Sequence, residues 1–153
     1  MSLRVFVVDT NVVAAGLITA EAGSPTAEIL DSMLSGPLLF LLSPELLREY
    51  RHVLLRPKLS QIHGLREPEI DQILAEITAS ALWREPGPDP DYSAPDPRDS
   101  HLWSLLASEP QAILITGDRL LLEHPGRQGS VISPRTWAEH FRKSKTDEGQ
   151  TWL

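Results

Sequence analysis

Four carboxylates occupy positions from which they can meet: Asp9, Glu49, Asp99 and Asp118. Asp9 directly follows the run Arg4 to Val8, and Asp118 comes just past a second apolar run that ends at Thr116. At about 100° per residue, Asp99 falls near the middle of the helical stripe formed by Leu102, Trp103 and Leu106. Glu49 flanks the stripe Leu46, Tyr50 and Val53 of another helical pattern, whereas Glu45 points further away from it. Carboxylates drawn together without partners repel one another and resist desolvation, so a fold that gathers three or four of them normally holds a cation. Oxygen-only donors select hard ions, Mg²⁺ or Mn²⁺. Such ions activate water and neutralise charge on phosphodiesters. Taken singly, each acid has a plainer role. Asp9, Asp96 and Asp118 read as helix N-caps, with Asn11 as a second cap candidate. Asp99 reads as a first-turn acid favoured by the helix dipole, and Glu49 as a partner for Arg48, Arg51 or Arg56 on a solvated face.

The elements that must position these residues alternate between strand and helix. Arg4–Val8 reads as a buried strand, followed by a helix over Val12–Ile18. Ser24-Pro25 opens a second helix that Gly36-Pro37 stops, and Leu38–Leu42 is the next strand. Ser43-Pro44 starts a helix that runs to Pro57, and Ile70, Ile73, Leu74 and Ile77 mark a surface helix from Glu69 to about Ala81. A short strand is expected at Leu82–Arg84. The prolines from Pro86 to Pro97 then impose an extended loop, after which Asp96-Pro97 restarts a helix through Leu106. Ala112–Thr116 and Val131–Ile132 read as strands and Pro134–Phe141 as a closing helix. This alternation predicts an α/β fold whose parallel sheet is covered on both faces, with ligands beyond the carboxyl ends of the strands.

The chain has 153 residues, 41% hydrophobic and 23% charged, which suits one ordinary domain. That domain is expected over residues 1–142, with a polar tail at 143–153. The absence of cysteine rules out disulfide frameworks, thiolate metal sites and thiol nucleophiles. No apolar stretch approaches the length of a membrane span or a signal-peptide core, so the expectation is a soluble cytoplasmic protein without membrane association. A net charge of −7, from 14 Lys+Arg against 21 Asp+Glu, argues against coating nucleic acid through bulk positive charge. Metal ions would have to draw a phosphate backbone in, with Arg48, Arg51, Arg56 and Lys58 as auxiliary contacts. The histidines at 52, 63, 101, 124 and 140 lack metal-ligand spacing and read as incidental, His101 beside Asp99 being the one worth testing.

Four segments in order carry a resemblance: Val8-Asp9-Thr10-Asn11-Val12; Ser43-Pro44-Glu45-Leu46-Leu47-Arg48-Glu49-Tyr50 with Leu54-Leu55-Arg56-Pro57; Asp96-Pro97-Arg98-Asp99; and Thr116-Gly117-Asp118-Arg119-Leu120-Leu121. Together they resemble the PIN-domain family, in particular its small prokaryotic members described as toxins of toxin–antitoxin pairs. The resemblance runs from about Leu3 to Phe141. It implies a three-layer α/β/α sandwich with a parallel central sheet and a Mg²⁺- or Mn²⁺-dependent endoribonuclease site. By motif position the family's acidic ligands fall on Asp9, Glu49, Asp99 and Asp118. Asn11 and Thr116 match polar positions that hold those carboxylates, and Asp96 is a possible fifth acid. The resemblance further implies an RNA substrate, a homodimer and a small antitoxin partner. Two other readings remain open: a regulatory module that binds metal or RNA without cutting, and an aspartyl phosphotransferase, which is weakened because Asn11 stands where such enzymes place a second Asp.

Overall fold

Three Ser-Pro pairs punctuate the chain. In each, the serine side chain accepts the backbone N–H three residues on while the proline takes the first helical position, where its missing donor costs nothing. These caps, each contributing about 0.5–2 kcal/mol, open α2 (Pro25–Ser35), α3 (Pro44–Leu54) and α8 (Pro134–His140). The computed structural model describes residues 4–87, 97–125 and 130–142. Asp96, most of the proline-rich segment and the tail at 143–153 lie outside the described residues.

Strand β1 (Phe6–Val8) pairs in parallel with β4 (Ile113–Ile115), Val8 standing opposite Ile115, and β4 pairs in parallel with β5 (Val131–Ile132). On the other side β2 (Leu41–Leu42) pairs in parallel with β3 (Leu82–Trp83). A parallel bridge between Phe6 and Phe40 joins the two pieces, giving the spatial order β3-β2-β1-β4-β5. The order reverses between β1 and β4, the place where an open parallel sheet forms its binding crevice. Every residue of β1 and β4 is buried, so both faces of the centre are covered and the molecule is an α/β sandwich.

Helix α1 (Thr10–Ile18) packs against α2. A Cβ on Gly16 would stand 2.5 Å from the Thr26 carbonyl oxygen and 3.0 Å from Leu30 Cβ, so the two helices approach to a distance that only glycine permits. Helix α5 (Glu67–Ser80) buries Ile70, Leu74 and Ile77. A 3₁₀ turn (Pro97–Asp99) leads into α6 (Ser100–Ala107), which buries Leu102, Trp103, Leu105 and Leu106. No helix among the described residues is long and apolar enough to cross a membrane.

Several boundaries differ from the sequence expectation. Strands β1 to β4 are shorter than expected, whereas β5 has the expected bounds. Helix α1 starts at Thr10, not Val12, because Asp9 itself caps it. Helices α4 (Pro57–His63) and α7 (Arg119–Glu123) are additional. Pro57 opens α4 where it was expected only to close α3, and α4 buries no residue fully, so it carries no apolar stripe. The Asp96-Pro97 helix instead begins as a 3₁₀ turn. Asp99 therefore occupies the cap position of α6 rather than the middle of its stripe.

Candidate active site

Because the strands are parallel, the loops after β1 and β4 leave the sheet side by side. The ladder continues one step past β1, with Asp9 N–H donating to the Ile115 carbonyl at 2.9 Å. This places Asp9 against Thr116. One oxygen of the Asp9 carboxylate, Oδ1, caps α1 by accepting Thr10 N–H at 2.8 Å. The other, Oδ2, accepts the Thr116 hydroxyl at 2.7 Å and Asn11 Nδ2 at 3.0 Å. Asn11 Oδ1 in turn accepts Gly117 N–H at 2.9 Å, and Thr116 Oγ1 accepts Asp118 N–H at 3.0 Å. Asp118 Oδ1 accepts Leu120 N–H at 2.9 Å and so caps α7. Side chains thus lace two loops more than 100 residues apart into one rigid edge.

Glu49 enters from α3. Its carboxylate accepts the Thr10 hydroxyl and, at 3.2 Å, His101 Nε2 from α6. Since a carboxylate only accepts, Nε2 carries the proton. The opposite ring nitrogen, Nδ1, is buried without a hydrogen-bond partner among the described residues. Beneath the site Tyr50, fully buried, donates to the Val8 carbonyl at 2.5 Å and ties α3 to the end of β1. Burial, with the charges of Asp9 and Glu49 acting in the same sense, pushes the Tyr50 hydroxyl pKa well up.

Asp9 is 5% exposed. Burial raises its pKa above the ordinary value of 3.8; the bonds from Thr116 and Thr10 oppose this, and the nearby charges of Glu49 and Asp118 add to it. Desolvation outweighs the hydrogen bonds. Glu49 moves the other way, held below its ordinary 4.5 first by the His101 hydrogen bond, against its partial burial, with Thr10 and the charge of Arg56 assisting.

The structure therefore brings together Asp9, Asn11, Thr116 and Asp118, and reaches Glu49 through Thr10. Asp99 sits half-buried at the start of α6, two residues before His101. Glu49 forms no ion pair with Arg48, Arg51 or Arg56, although the charge of Arg56 bears on it. Arg48 pairs with Glu45 at 3.6 Å, while Arg51 holds Glu67 and, at 2.8 Å, Asp71. Two of the histidines read as incidental have roles. His101 holds Glu49, and His63 bonds the Leu54 carbonyl at 2.9 Å and Leu65 N–H at 2.8 Å. Thr10, His101 and Gly117 received no site role from the sequence. The signal for Thr10 was its place between Asp9 and Asn11. His101 had only its spacing from Asp99, and its contact with Glu49 is made by tertiary packing.

Among the described residues, no three His, Asp or Glu side chains form a ready-made metal cage. The donors nevertheless fit a hard divalent ion in chemistry. They are all carboxylate oxygens, Asp118 Oδ2 accepts no hydrogen bond among the described residues, and the buried charge of Asp9 is raised in energy by its acidic neighbours.

A family model described as PIN domain matches residues 5–120, a span that includes β1, β4 and all four candidate acids. A comparison with curated proteins gives no match. PIN domains are generally nucleases, typically use divalent metal ions and act on RNA or other nucleic acids. From the sheet order, the acid-bearing loops at its reversal point and the extent of that match, the chain belongs to the PIN-domain family.

Proposed function

We propose that this protein is an endoribonuclease that hydrolyses RNA phosphodiesters with Mg²⁺ or Mn²⁺. The observation that carries this reading is Asp9: a carboxylate kept buried at the sheet's reversal point, fixed by Asn11 and Thr116, with the charges of Glu49 and Asp118 bearing on it. Asp9, Asp99 and Asp118 would hold the ion and Glu49 would complete the cluster. When bound, the ion supplies Lewis acidity, making water more acidic and offsetting charge on the leaving oxygen. Asn11 and Thr116 keep the Asp9 carboxylate from rotating. Glu49, ionised through its bonds to His101 and Thr10, is suited to orient a water for attack. Arg48 and Arg56 are the phosphate contacts proposed, Arg51 being engaged by α5.

Within this reading the protein is the toxin of a toxin–antitoxin pair, acting in the cytoplasm as a homodimer and silenced by a small antitoxin. The support is likeness to the small prokaryotic family members. Expression of the intact chain should arrest growth, and Asp9→Asn should relieve the arrest. Unaffected growth, with no small companion co-purifying, overturns the toxin role.

The test of the chemistry is incubation with structured and single-stranded RNA in Mn²⁺, Mg²⁺ or EDTA, beside an Asp9→Asn/Asp118→Asn variant. Cleavage that needs metal and vanishes in the variant is the expected result. The turning of Glu49 onto Thr10 and His101 favours a second reading, a module that binds metal or RNA without cutting. Identical traces from wild type and variant would put that reading first.

A further inference from the structure

Two clefts differ in charge, and the second of them includes Asp118. The first, about 390 Å³, is lined by Arg48, His52 and Arg56 along α3 and the start of α4, and the charge of Arg56 reaches Glu49. The second, about 430 Å³, lies at the Asp118 end of the network. Val12, Ala15 and Pro134 give it apolar walls, and Asn11, Thr26 and Asp118 give it polar ones. Both volumes fall in the range of small-molecule sites, ~300–1,000 Å³.

We propose that the second cleft seats one unpaired nucleobase of an RNA strand whose phosphate lies at the carboxylates, an inference that rests on the RNA-processing reading above. The lining contains no Lys or Arg, so it offers no cationic side chain to hold a phosphate. What remains of a nucleotide is its base and sugar, and a flat base suits apolar walls. The chain's phosphates then run towards the arginine-lined cleft. Asn11 has no donor to spare for reading the base, because its Nδ2 is given to Asp9 and Thr116, while its Oδ1 accepts Gly117 N–H and keeps a second lone pair. The polar groups left include Asp118 Oδ2, which accepts no hydrogen bond among the described residues, and the Thr26 hydroxyl, whose contact is a long 3.4 Å approach to Ser24 Oγ. The Thr26 hydroxyl can donate or accept, so its side of the cleft does not select one base. A base held in a duplex cannot enter it, which makes unpaired loops or ends the substrate.

The probe is the four uncharged ribonucleosides, titrated in EDTA into the full chain with the backbone amides of Ala15, Thr26 and Gly117 followed by NMR. At least one nucleoside should shift these amides saturably, and ribose 5-phosphate should not. Ala15→Leu, which fills the cleft from α1, should weaken the response at least tenfold in a chain with an otherwise unchanged spectrum. Thr26→Leu fills it from α2 and serves if the first variant does not fold. No saturable shift with any nucleoside, an equal response to ribose 5-phosphate, or a response that survives both substitutions overturns the proposal. Neither metal nor cleavage is involved, so the two readings fail separately. A chain that cuts RNA without these shifts loses only the base site; one that shows them and cuts nothing loses only the nuclease.

Discussion

Asp9 carries opposing demands in one side chain. It must stay ionised to attract a cation, yet burial and two acidic neighbours favour its proton. Thr116 supplies part of the compensation. Thr116→Val keeps the volume and removes the hydroxyl; by analogy with groups that orient metal ligands, it should lower metal affinity or cleavage ~10–100-fold, read by steady-state kinetics against cation concentration. Burial also sets a pH dependence. Because the folded-state pKa of Asp9 is raised, protonation stabilises the ion-free chain below 3.8, and that contribution is lost as pH rises through the higher folded value. Glu49 has the opposite sign: its contribution is present above 4.5 and is lost as pH falls through its lowered value. A divalent ion competes with the Asp9 proton. At neutral pH an ion at 100 times its Kd should add about 2.7 kcal/mol, a rise in Tm of roughly 5–10 °C. That rise should shrink towards zero as pH falls through the Asp9 pKa; a thermal-shift series with Mn²⁺ checks it. At this scale the sequence was informative where one helix face decides, as with Glu49 over Glu45. It was silent where the partner comes from another element, as with His101.

Among the elements, those that bury a stripe were legible and those that do not were not. α2, α3 and α5 show their apolar spacing, and α2 and α3 their proline starts, whereas α5 begins at Glu67, two residues before the expected Glu69. α4 buries nothing completely, and α7 has five residues with one buried; neither leaves a periodic trace. The turn before α6 was misread because Pro97 permits an α-helical or a 3₁₀ start equally well, and that choice moved Asp99 from the helix face to its cap. The contact of α1 with α2 depends on Gly16, which periodicity alone does not mark. Gly16→Ala would drive a methyl into the Thr26 carbonyl, and overpacking of this kind typically costs about 1–3 kcal/mol. Chemical denaturation should show the midpoint lowered with an unchanged slope.

Across the whole molecule, the family match ends at residue 120, but the fold does not. Leu114 N–H bonds the Ser130 carbonyl at 2.8 Å and Thr116 N–H the Ile132 carbonyl at 2.9 Å, so β5 covers what would otherwise be an open edge of β4. Trp137 of α8 is buried in the core, Phe141 packs edge-on to Phe6 with ring centres 5.5 Å apart, and Arg142 grips Glu28 through both carboxylate oxygens. A chain ended at residue 120 should therefore lack the cooperative thermal transition of the full chain, as calorimetry would show. The alternating pattern made the parallel sheet legible; the way the last segment returns to the first does not reside in any local window.

The lacing of the two loops has a consequence in time. A ribosome that has released residues up to 110 has delivered Asp9, Glu49 and Asp99, but not the strand that brings Thr116 and Asp118 to them. The half-made polypeptide therefore holds most of the acids and none of the assembled edge. Whatever chemistry this edge performs is withheld from the transcript still being translated until Thr116 and Asp118 have been delivered.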